Sequence, residues 1–186
     1  PTVTISNSLH HGSYPGTLSL DPRLYMDYLT SIARGIVSHG FRNICCVNGH
    51  GGNGTPTDMA VMDIVTRYGI HISWVPYYVG CNGDFEAILD TQSNIFHADE
   101  VETSLMLALD ESLVDPCYKE AKGGNVQKGT PHGRPGRPFT FLPFETRTET
   151  GILGNSYAAT REKGEQLWEA VASHLVQALL DPDLWQ

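Results

Sequence analysis

The apolar positions between residues 21 and 40 recur every three or four residues, which is the spacing of one face of an α-helix. Asp21 precedes the stripe as an N-cap, and Pro22 follows it at the first helical position. Gly40 stands where a left-handed residue ends many helices. The pattern therefore predicts an amphipathic helix that ends at Gly40 and whose apolar face carries Tyr25, Tyr28, Leu29, Ile32, Ala33, Ile36 and Val37.

Short apolar runs alternate with helical segments after this helix. Residues 43–47 are apolar on both faces and lead into Asn-Gly, as in a central strand of a parallel sheet. A second helix is predicted to begin at Thr55, and a second strand covers about residues 70–79. This order calls for an α/β fold with helices on both faces of the sheet. The other predicted elements are a short β-type run at 1–6, a helix at 99–110, loops with at most one short strand at 111–150 and a closing helix at 157–180.

Composition and charge narrow the class of protein. The chain has 186 residues, 40% of them hydrophobic and 18% charged, so it can form a single domain over residues 1–186 without disulfides. A net charge of −9 and scattered basic residues argue against nucleic acid as a partner. No apolar run approaches the roughly 20 residues of a membrane span. Cys45 and Cys46 lie in an apolar run and are predicted to be buried thiols. The cysteines show no CxxC spacing, and we predict a reducing compartment and a cytoplasmic location.

The strongest chemical signal is the run Asn-Gly-His-Gly-Gly-Asn at residues 48–53, directly after the first predicted strand. Ligands of open α/β sheets collect at the carboxyl ends of strands, and glycines beside His50 let a metal or substrate approach closely. Imidazole binds zinc, iron and manganese, so His50 is predicted to be a metal ligand. Two alternatives remain open at this stage: a phosphate-binding loop, and a structural turn with a hydrogen-bonded histidine.

A second signal is the acidic segment that begins a predicted helix at residues 97–104. For Asp99 and Glu100, a role in a site and a role as water-exposed partners of the helix dipole fit equally well. Glu102 shares a helical face with Leu105, Met106 and Leu109, which should turn inward, so its carboxylate is predicted to bind a cation or act in catalysis.

Further histidines lie in the loop before Pro15. In an extended segment the adjacent side chains of His10 and His11 point in opposite directions, so at most one of them is expected to enter a site. His39, His71 and His174 have structural explanations at helix or strand positions, and His132 is uninformative. One histidine and one glutamate do not complete a hydrolytic metal centre, which commonly uses three protein ligands per ion.

Several separated motifs resemble the creatininase family of metal-dependent hydrolases, and together they span nearly the whole chain. They are residues 11–20 (HGSYPGTLSL), 39–41 (HGF), 48–53 (NGHGGN), 97–107 (HADEVETSLML), 151–154 (GILG) and 159–164 (ATREKG). The resemblance implies a three-layer α/β/α sandwich with a mostly parallel sheet. It also implies two divalent ions per site (Zn, Mn or Fe), a small-molecule substrate and a homo-oligomer, often a hexamer.

Site roles follow from the same resemblance. His50 and Glu102 look like metal ligands, and His97 and Glu102 look like the catalytic groups, with His97 as general acid/base or substrate contact. The substrate pocket would be lined by His11, Tyr14, Gly51, Gly52 and Asn53.

Two departures from the family pattern bear on activity. Creatininase has a glutamate ligand where this chain has Gly52, so the chain resembles a Gly-Gly branch and creatinine is not the expected substrate. The family's Glu-x-His and following Asp lie upstream of anything in this sequence, so we expect the chain alone to bind metal poorly and to be inactive.

The sequence therefore predicts most of a hydrolase that cleaves an amide-type C–N bond, or a related carbonyl bond, by metal-activated water. The alternative is a non-catalytic or split-enzyme subunit that needs a separate N-terminal fragment.

Overall fold

A computed structural model describes residues 1–121, 123–124 and 141–185. His132 and the basic stretch at 128–137 lie outside the described residues. The chain divides into two compact units, the first made of residues 1–79 and 175–186 and the second of residues 80–174. The expectation that residues 1–186 form a single domain stays a prediction.

Helix α1 (Pro22–Ser38) in the first unit has the limits that its sequence signals predict. The Asp21 side chain accepts a hydrogen bond from the Arg23 backbone N–H at 2.9 Å, which satisfies one of the free donors at the helix start. Gly40 follows the C-cap residue with φ +91°, a conformation that glycine adopts without steric cost. The predicted helix and its end at Gly40 are confirmed.

The two predicted strands pair in parallel. Strand β1 (Asn43–Asn48) lies beside β2 (His71–Pro76), with Asn43 opposite His71 and Asn48 opposite Pro76. Helix α2 (Gly54–Tyr68) connects them, so the arrangement is a β-α-β crossover. The predicted α/β class with parallel strand pairing is therefore confirmed. The apolar core of this crossover is formed by Ala33, Ile64, Ile70 and Ile72, with Val37, Ile44, Cys46, Val61 and Tyr68 packed around it.

Three details of the first unit differ from the sequence prediction. Strand β2 ends at Pro76 rather than near residue 79. Residues 1–6 form no strand in the described structure; instead, the Leu20 backbone N–H donates to the Ser6 carbonyl at 2.9 Å. Helix α2 begins at Gly54 rather than Thr55, because a 3₁₀ turn at Gly51–Asn53 leads directly into it.

The second unit is mainly helical in its described part. It contains α3 (Asn82–Ile88), α4 (Glu100–Asp110) and the first two thirds of α5 (Arg161–Leu180). The sequence pattern did not predict α3, a short helix whose buried face consists of Phe85 alone. Helix α5 starts four residues later than predicted, because a 3₁₀ turn at Ser156–Ala158 precedes it. Thr160 lies directly before the helix, and its hydroxyl accepts from the Lys163 N–H.

Helices α4 and α5 are joined by a glycine contact and a buried ion pair. A Cβ at Gly164 would lie 1.9 Å from the Ser104 carbonyl oxygen, so only glycine fits where the helices approach. Lys163 Nζ lies 2.6 Å from the Glu100 carboxylate, which is fully buried. The motif at residues 159–164 therefore has a packing role in this unit.

Among the described residues, none of the helices is both long enough and apolar enough to cross a membrane.

Candidate functional site

His50 lies at the carboxyl end of β1, in a turn held by three buried asparagines. The Asn48 side-chain oxygen accepts from the His50 backbone N–H and from the Asn53 amide, both at 3.1 Å. The Asn53 side-chain oxygen in turn accepts from the Asn7 N–H at 2.9 Å. This chain of hydrogen bonds attaches the glycine-rich turn to the loop that carries the other histidines.

Three histidines meet at this point. The ligand nitrogens of His10, His11 and His50 all lie within 4.8 Å of one another, and this is the group of potential metal-binding side chains found among the described residues. The rings of His10 and His50 are nearly parallel, with centroids 5.3 Å apart, and the His11 ring is tilted against both. His11 Nδ1 is hydrogen-bonded to Ser8 Oγ at 2.9 Å, which leaves Nε2 as its ligand atom.

The electrostatic state of His50 suits a metal ligand. Burial lowers the pKa of His50, because the charged imidazolium loses hydration there. Its Nε2 atom is buried and has no hydrogen-bond partner in the described structure. A neutral imidazole with an unpartnered buried nitrogen fits a divalent ion, and an unsatisfied polar atom in this position otherwise costs about 1–3 kcal/mol.

The absence of a side chain at Gly52 leaves space for the His10 and His50 rings. A Cβ at this position would lie 2.5 Å from His10 Cε1, 2.6 Å from His50 Nε2 and 3.0 Å from the Asn7 carbonyl oxygen. With the rings in these positions, any side chain at residue 52 would collide with the cluster. The position where creatininase is expected to carry a glutamate is one where this chain has no space for it.

The expectation that at most one of His10 and His11 faces a site is wrong. Leu9–His11 form a 3₁₀ turn instead of an extended segment, so consecutive side chains are separated by about 120° rather than 180°. Both rings consequently approach His50. Sequence reasoning missed His10 for this reason, although the glycines and proline that follow at residues 12–16 already favoured a turn.

The residues predicted to contact substrate in this unit lie around the cluster. The Tyr14 backbone N–H donates to the His11 carbonyl at 2.9 Å, and Gly51 opens the 3₁₀ turn after His50. Both ends of the Asn53 amide are used in the hydrogen bonds described above. Substrate contacts by His11, Tyr14, Gly51, Gly52 and Asn53 stay predictions.

Glu102 lies in the first turn of α4, in the second unit. Its carboxylate accepts from the Ala98 backbone N–H. Burial raises the pKa of Glu102 to about 7, and the neighbouring Asp99 carboxylate adds to the rise while the Ala98 hydrogen bond opposes it. Near neutral pH this group can therefore either accept or donate a proton. Its roles in catalysis and in metal binding stay predictions.

His97 precedes a strained residue. Ala98 has φ +46°, a left-handed conformation that costs a non-glycine residue about 1 kcal/mol. Besides Glu102, Thr103 stabilises it by donating from Oγ1 to the Ala98 carbonyl at 3.2 Å. The His97 backbone pairs with Leu153, and its ring meets Phe144 edge to face with centroids 4.8 Å apart. The segment thus fixes the His97 side chain, whose acid–base role remains a prediction.

Of the two interpretations left open for Asp99 and Glu100, the water-exposed one does not hold. Asp99 and Glu100 are completely buried rather than exposed to water. Asp99 caps α4 by accepting from the N–H groups of Val101 and Glu102, and burial raises its pKa. Burial also disfavours a charged Glu100, but hydrogen bonds from Lys163, Thr91 and the backbone outweigh it and lower the pKa.

The face on which Glu102 was placed does not turn inward as a whole. Leu105 is buried, but Met106 and Leu109 are 37% and 63% exposed in the described structure. The core-facing side of α4 is instead built from Val101, Ser104, Leu105 and Leu107. The Glu102 carboxylate is instead tied to the chain that precedes the helix, through the Ala98 backbone N–H.

Known proteins resemble this chain over most of its length. Residues 1–179 match the creatininase family, described as creatinine amidohydrolase. A 3-dehydro-scyllo-inosose hydrolase of Thermotoga maritima is 29% identical over 198 residues, which cover 92% of this chain and 60% of that protein. A creatinine amidohydrolase of Pseudomonas putida is 29% identical over 187 residues, covering 89% and 65%. The chain thus spans less than two thirds of the length of both relatives.

Solved structures give the same result. A creatinine amidohydrolase (creatininase) structure has a TM-score of 0.70 and 28% identity, covering 90% of this chain and 66% of that one. A creatininase described as a manganese form has a TM-score of 0.67 at 27% identity, with coverage of 90% and 66%. A mutant creatininase complexed with creatine has a TM-score of 0.69 at 25% identity, with coverage of 94% and 71%. The creatininase-like fold is confirmed, and the chain belongs to the creatininase family.

Proposed function

We propose that this chain is the larger part of a metal-dependent hydrolase that cleaves an amide-type C–N bond, or a related carbonyl bond, in a small molecule. The observation that carries the proposal is the buried, unpartnered Nε2 atom of His50 beside two further histidines, in a chain of the creatininase family. Relatives that hydrolyse creatinine or an inosose, by their names, support a small polar substrate with a reactive carbonyl.

The chain's own residues would divide the work as follows. His50 holds a divalent ion, which when bound polarises a carbonyl oxygen and lowers the pKa of water. Manganese in a creatininase structure supports this class of ion. Gly51 and Gly52 keep the backbone beside His50 free of side chains, so that a small substrate can approach.

Proton transfer falls to the segment at the start of α4. His97 donates a proton to the leaving nitrogen, or exchanges protons with it, from a ring held against Phe144. Glu102, with its pKa near 7, is poised to take up or release a proton at neutral pH. Asp99 keeps the helix start rigid by capping it.

The test is turnover by the purified protein loaded with Mn²⁺ or Zn²⁺, with creatinine, 3-dehydro-scyllo-inosose and small cyclic amides as candidate substrates and products followed by mass spectrometry. Contrary to the expectation from the absent Glu-x-His motif, the histidine cluster leads us to expect hydrolysis of one substrate class, abolished by a chelator. His97→Ala should lower kcat by about 10²–10⁴-fold, whereas the exposed His39→Ala should not change it.

Full turnover by metal-loaded His97→Ala would refute the role of His97. If the protein hydrolyses none of these substrates until an N-terminal fragment with a Glu-x-His sequence is added, the split-enzyme alternative would replace the proposal.

A further inference from the structure

The three histidines of the first unit form a more complete ligand set than His50 alone. Their nitrogens converge from two loops, since His10 and His11 belong to the turn at Leu9–His11 and His50 follows β1. Metal–nitrogen bonds of about 2.1 Å allow two ligand nitrogens to be at most about 4.2 Å apart. Because the present separations are all within 4.8 Å, small ring rotations would bring the three nitrogens onto one ion.

The two loops are held together independently of any ion. Asn7 and Asn53 join them through one hydrogen bond, and the Asn7 side chain donates to the Leu20 carbonyl at 3.0 Å. Thr17 Oγ1 donates to the His11 carbonyl at 3.0 Å and fixes the turn from the other side. The ligand positions are thus preorganised, which lowers the conformational entropy that an ion would have to overcome on binding.

The orientation of His11 is also set by its surroundings. Ser8 Oγ is hydrogen-bonded to Nδ1, and the Ser8 backbone N–H in turn donates to Ser19 Oγ at 2.8 Å. Metal-binding histidines commonly engage their second ring nitrogen in this way, which fixes the tautomer and ring plane. The buried Nε2 of His50, without a partner in the described structure, is the matching feature on the facing loop.

We propose that His10, His11 and His50 together bind one divalent transition-metal ion through their imidazole nitrogens, so that this chain carries a three-histidine site of its own. Three protein ligands leave coordination positions for water or substrate, as in hydrolytic zinc sites. Three neutral imidazoles favour Zn²⁺ or Co²⁺ over Mg²⁺ and Ca²⁺, which prefer oxygen ligands. The inference deepens the proposed function by adding His10 and His11 to the ligands.

The experiment is a titration of the metal-free protein with Zn²⁺ and Co²⁺, using calorimetry for stoichiometry and visible absorption of the Co²⁺ form for coordination geometry. We expect one ion per chain in the first, tightest step. We also expect the intense d–d absorption of four- or five-coordinate Co²⁺ and no comparable binding of Mg²⁺.

Variants separate the three-histidine site from binding elsewhere. His10→Gln keeps the size and polarity of the side chain and should weaken Zn²⁺ binding at least tenfold and change the Co²⁺ spectrum. His11→Gln should do the same. His39→Gln alters an exposed histidine at the end of α1 and should leave both readouts unchanged. Circular dichroism of each variant confirms that the fold persists.

Unchanged affinity and spectrum in folded His10→Gln would overturn the proposal, as would the lack of any stoichiometric Zn²⁺ binding by the parent protein. Because no turnover is measured, this result is independent of whether the protein hydrolyses any of the substrates named above.

Discussion

Gly52 lies so close to the histidine cluster that a side chain at this position would contact the rings. In Gly52→Ala the added methyl carbon would lie 2.5 Å from His10 Cε1 and 2.6 Å from His50 Nε2, well inside van der Waals contact. The rings can rotate away, so the fold should survive, but the rotation separates the ligand nitrogens. We expect Zn²⁺ affinity to fall at least tenfold, measured by calorimetry, which corresponds to about 1.4 kcal/mol.

Gly49→Ala is the matched control, because a Cβ there meets no atom within 4 Å. Equal Zn²⁺ affinities of the two alanine variants would show that the space at residue 52 does not matter for the ion.

Glu102 should make the stability of the metal-free protein depend on pH. Its pKa of about 7 in the folded state exceeds the value of about 4.3 for an unfolded glutamate, so folding favours the protonated form. Its stabilising contribution is therefore complete below about pH 4.3 and is lost as the pH rises through 7. Between about pH 5 and about pH 8, the parent should lose roughly 2 to 3 kcal/mol more than Glu102→Gln.

Urea unfolding in the presence of a chelator, repeated across this pH range, measures the difference. The exposed Glu169→Gln removes the same charge from the surface and should keep the parent's pH profile. A profile of Glu102→Gln that parallels the parent would mean that the carboxylate is not shielded from water.

Single residues also show where sequence reasoning reaches its limit. The Asn-Gly-His-Gly-Gly-Asn run located His50, because glycines and a histidine after a strand have a local chemical meaning. His10 could not be placed in the same way, since its direction depends on a turn held by Thr17, next to a segment that Asn7 ties to Asn53. The burial of Glu100 likewise depends on Lys163, which lies 63 residues further along the chain.

The packing of α4 against α5 depends on that buried pair. Lys163 Nζ contacts Glu100, the Asp90 carboxylate at 2.7 Å and the Ala158 carbonyl at 2.7 Å. Lys163→Met would leave the Glu100 carboxylate buried without its counter-charge. Removing one partner of a buried pair costs about 3–5 kcal/mol, and we expect a loss of this size in the free energy of unfolding by urea.

The neighbouring Arg161→Met serves as control for this substitution. Arg161 is exposed and pairs with Glu165 one turn along the helix, an interaction worth less than about 0.5 kcal/mol. Adding Glu100→Gln to Lys163→Met removes the buried charge and should restore part of the lost stability. No recovery in the double variant would mean that Lys163 contributes through packing rather than charge.

Elements with strong local signals were predicted well, and those determined by tertiary contacts were not. Helix α1 has a cap, a proline and a terminal glycine in its own sequence, and β1 is a short run between two turns. Helix α3 has seven residues and one buried side chain, which is too little for a periodic pattern to register. Residues 1–6 have strand-like composition, but a strand forms only where a partner is available to hydrogen-bond it.

The whole chain presents two opposing expectations about metal binding. The family's Glu-x-His motif does not occur among the 186 residues, so the resemblance leads us to expect poor metal binding. The histidine cluster implies that one ion binds with the residues at hand. A stability measurement on the protein decides between the two expectations. An ion that binds only the folded state stabilises that state by about 2.7 kcal/mol when the ion concentration is one hundred times Kd.

Hydrogen exchange with and without Zn²⁺ locates that stabilisation within the molecule. All three histidines belong to the first unit, so we expect the added protection to centre on the amides of residues 7–20 and 48–57, whose loops the ion would join. His10→Gln should lose the Zn²⁺-dependent part and keep the rest, since the asparagine hydrogen bonds do not involve that ring. Zn²⁺ that protects neither segment would contradict the three-histidine site and favour the expectation of poor metal binding.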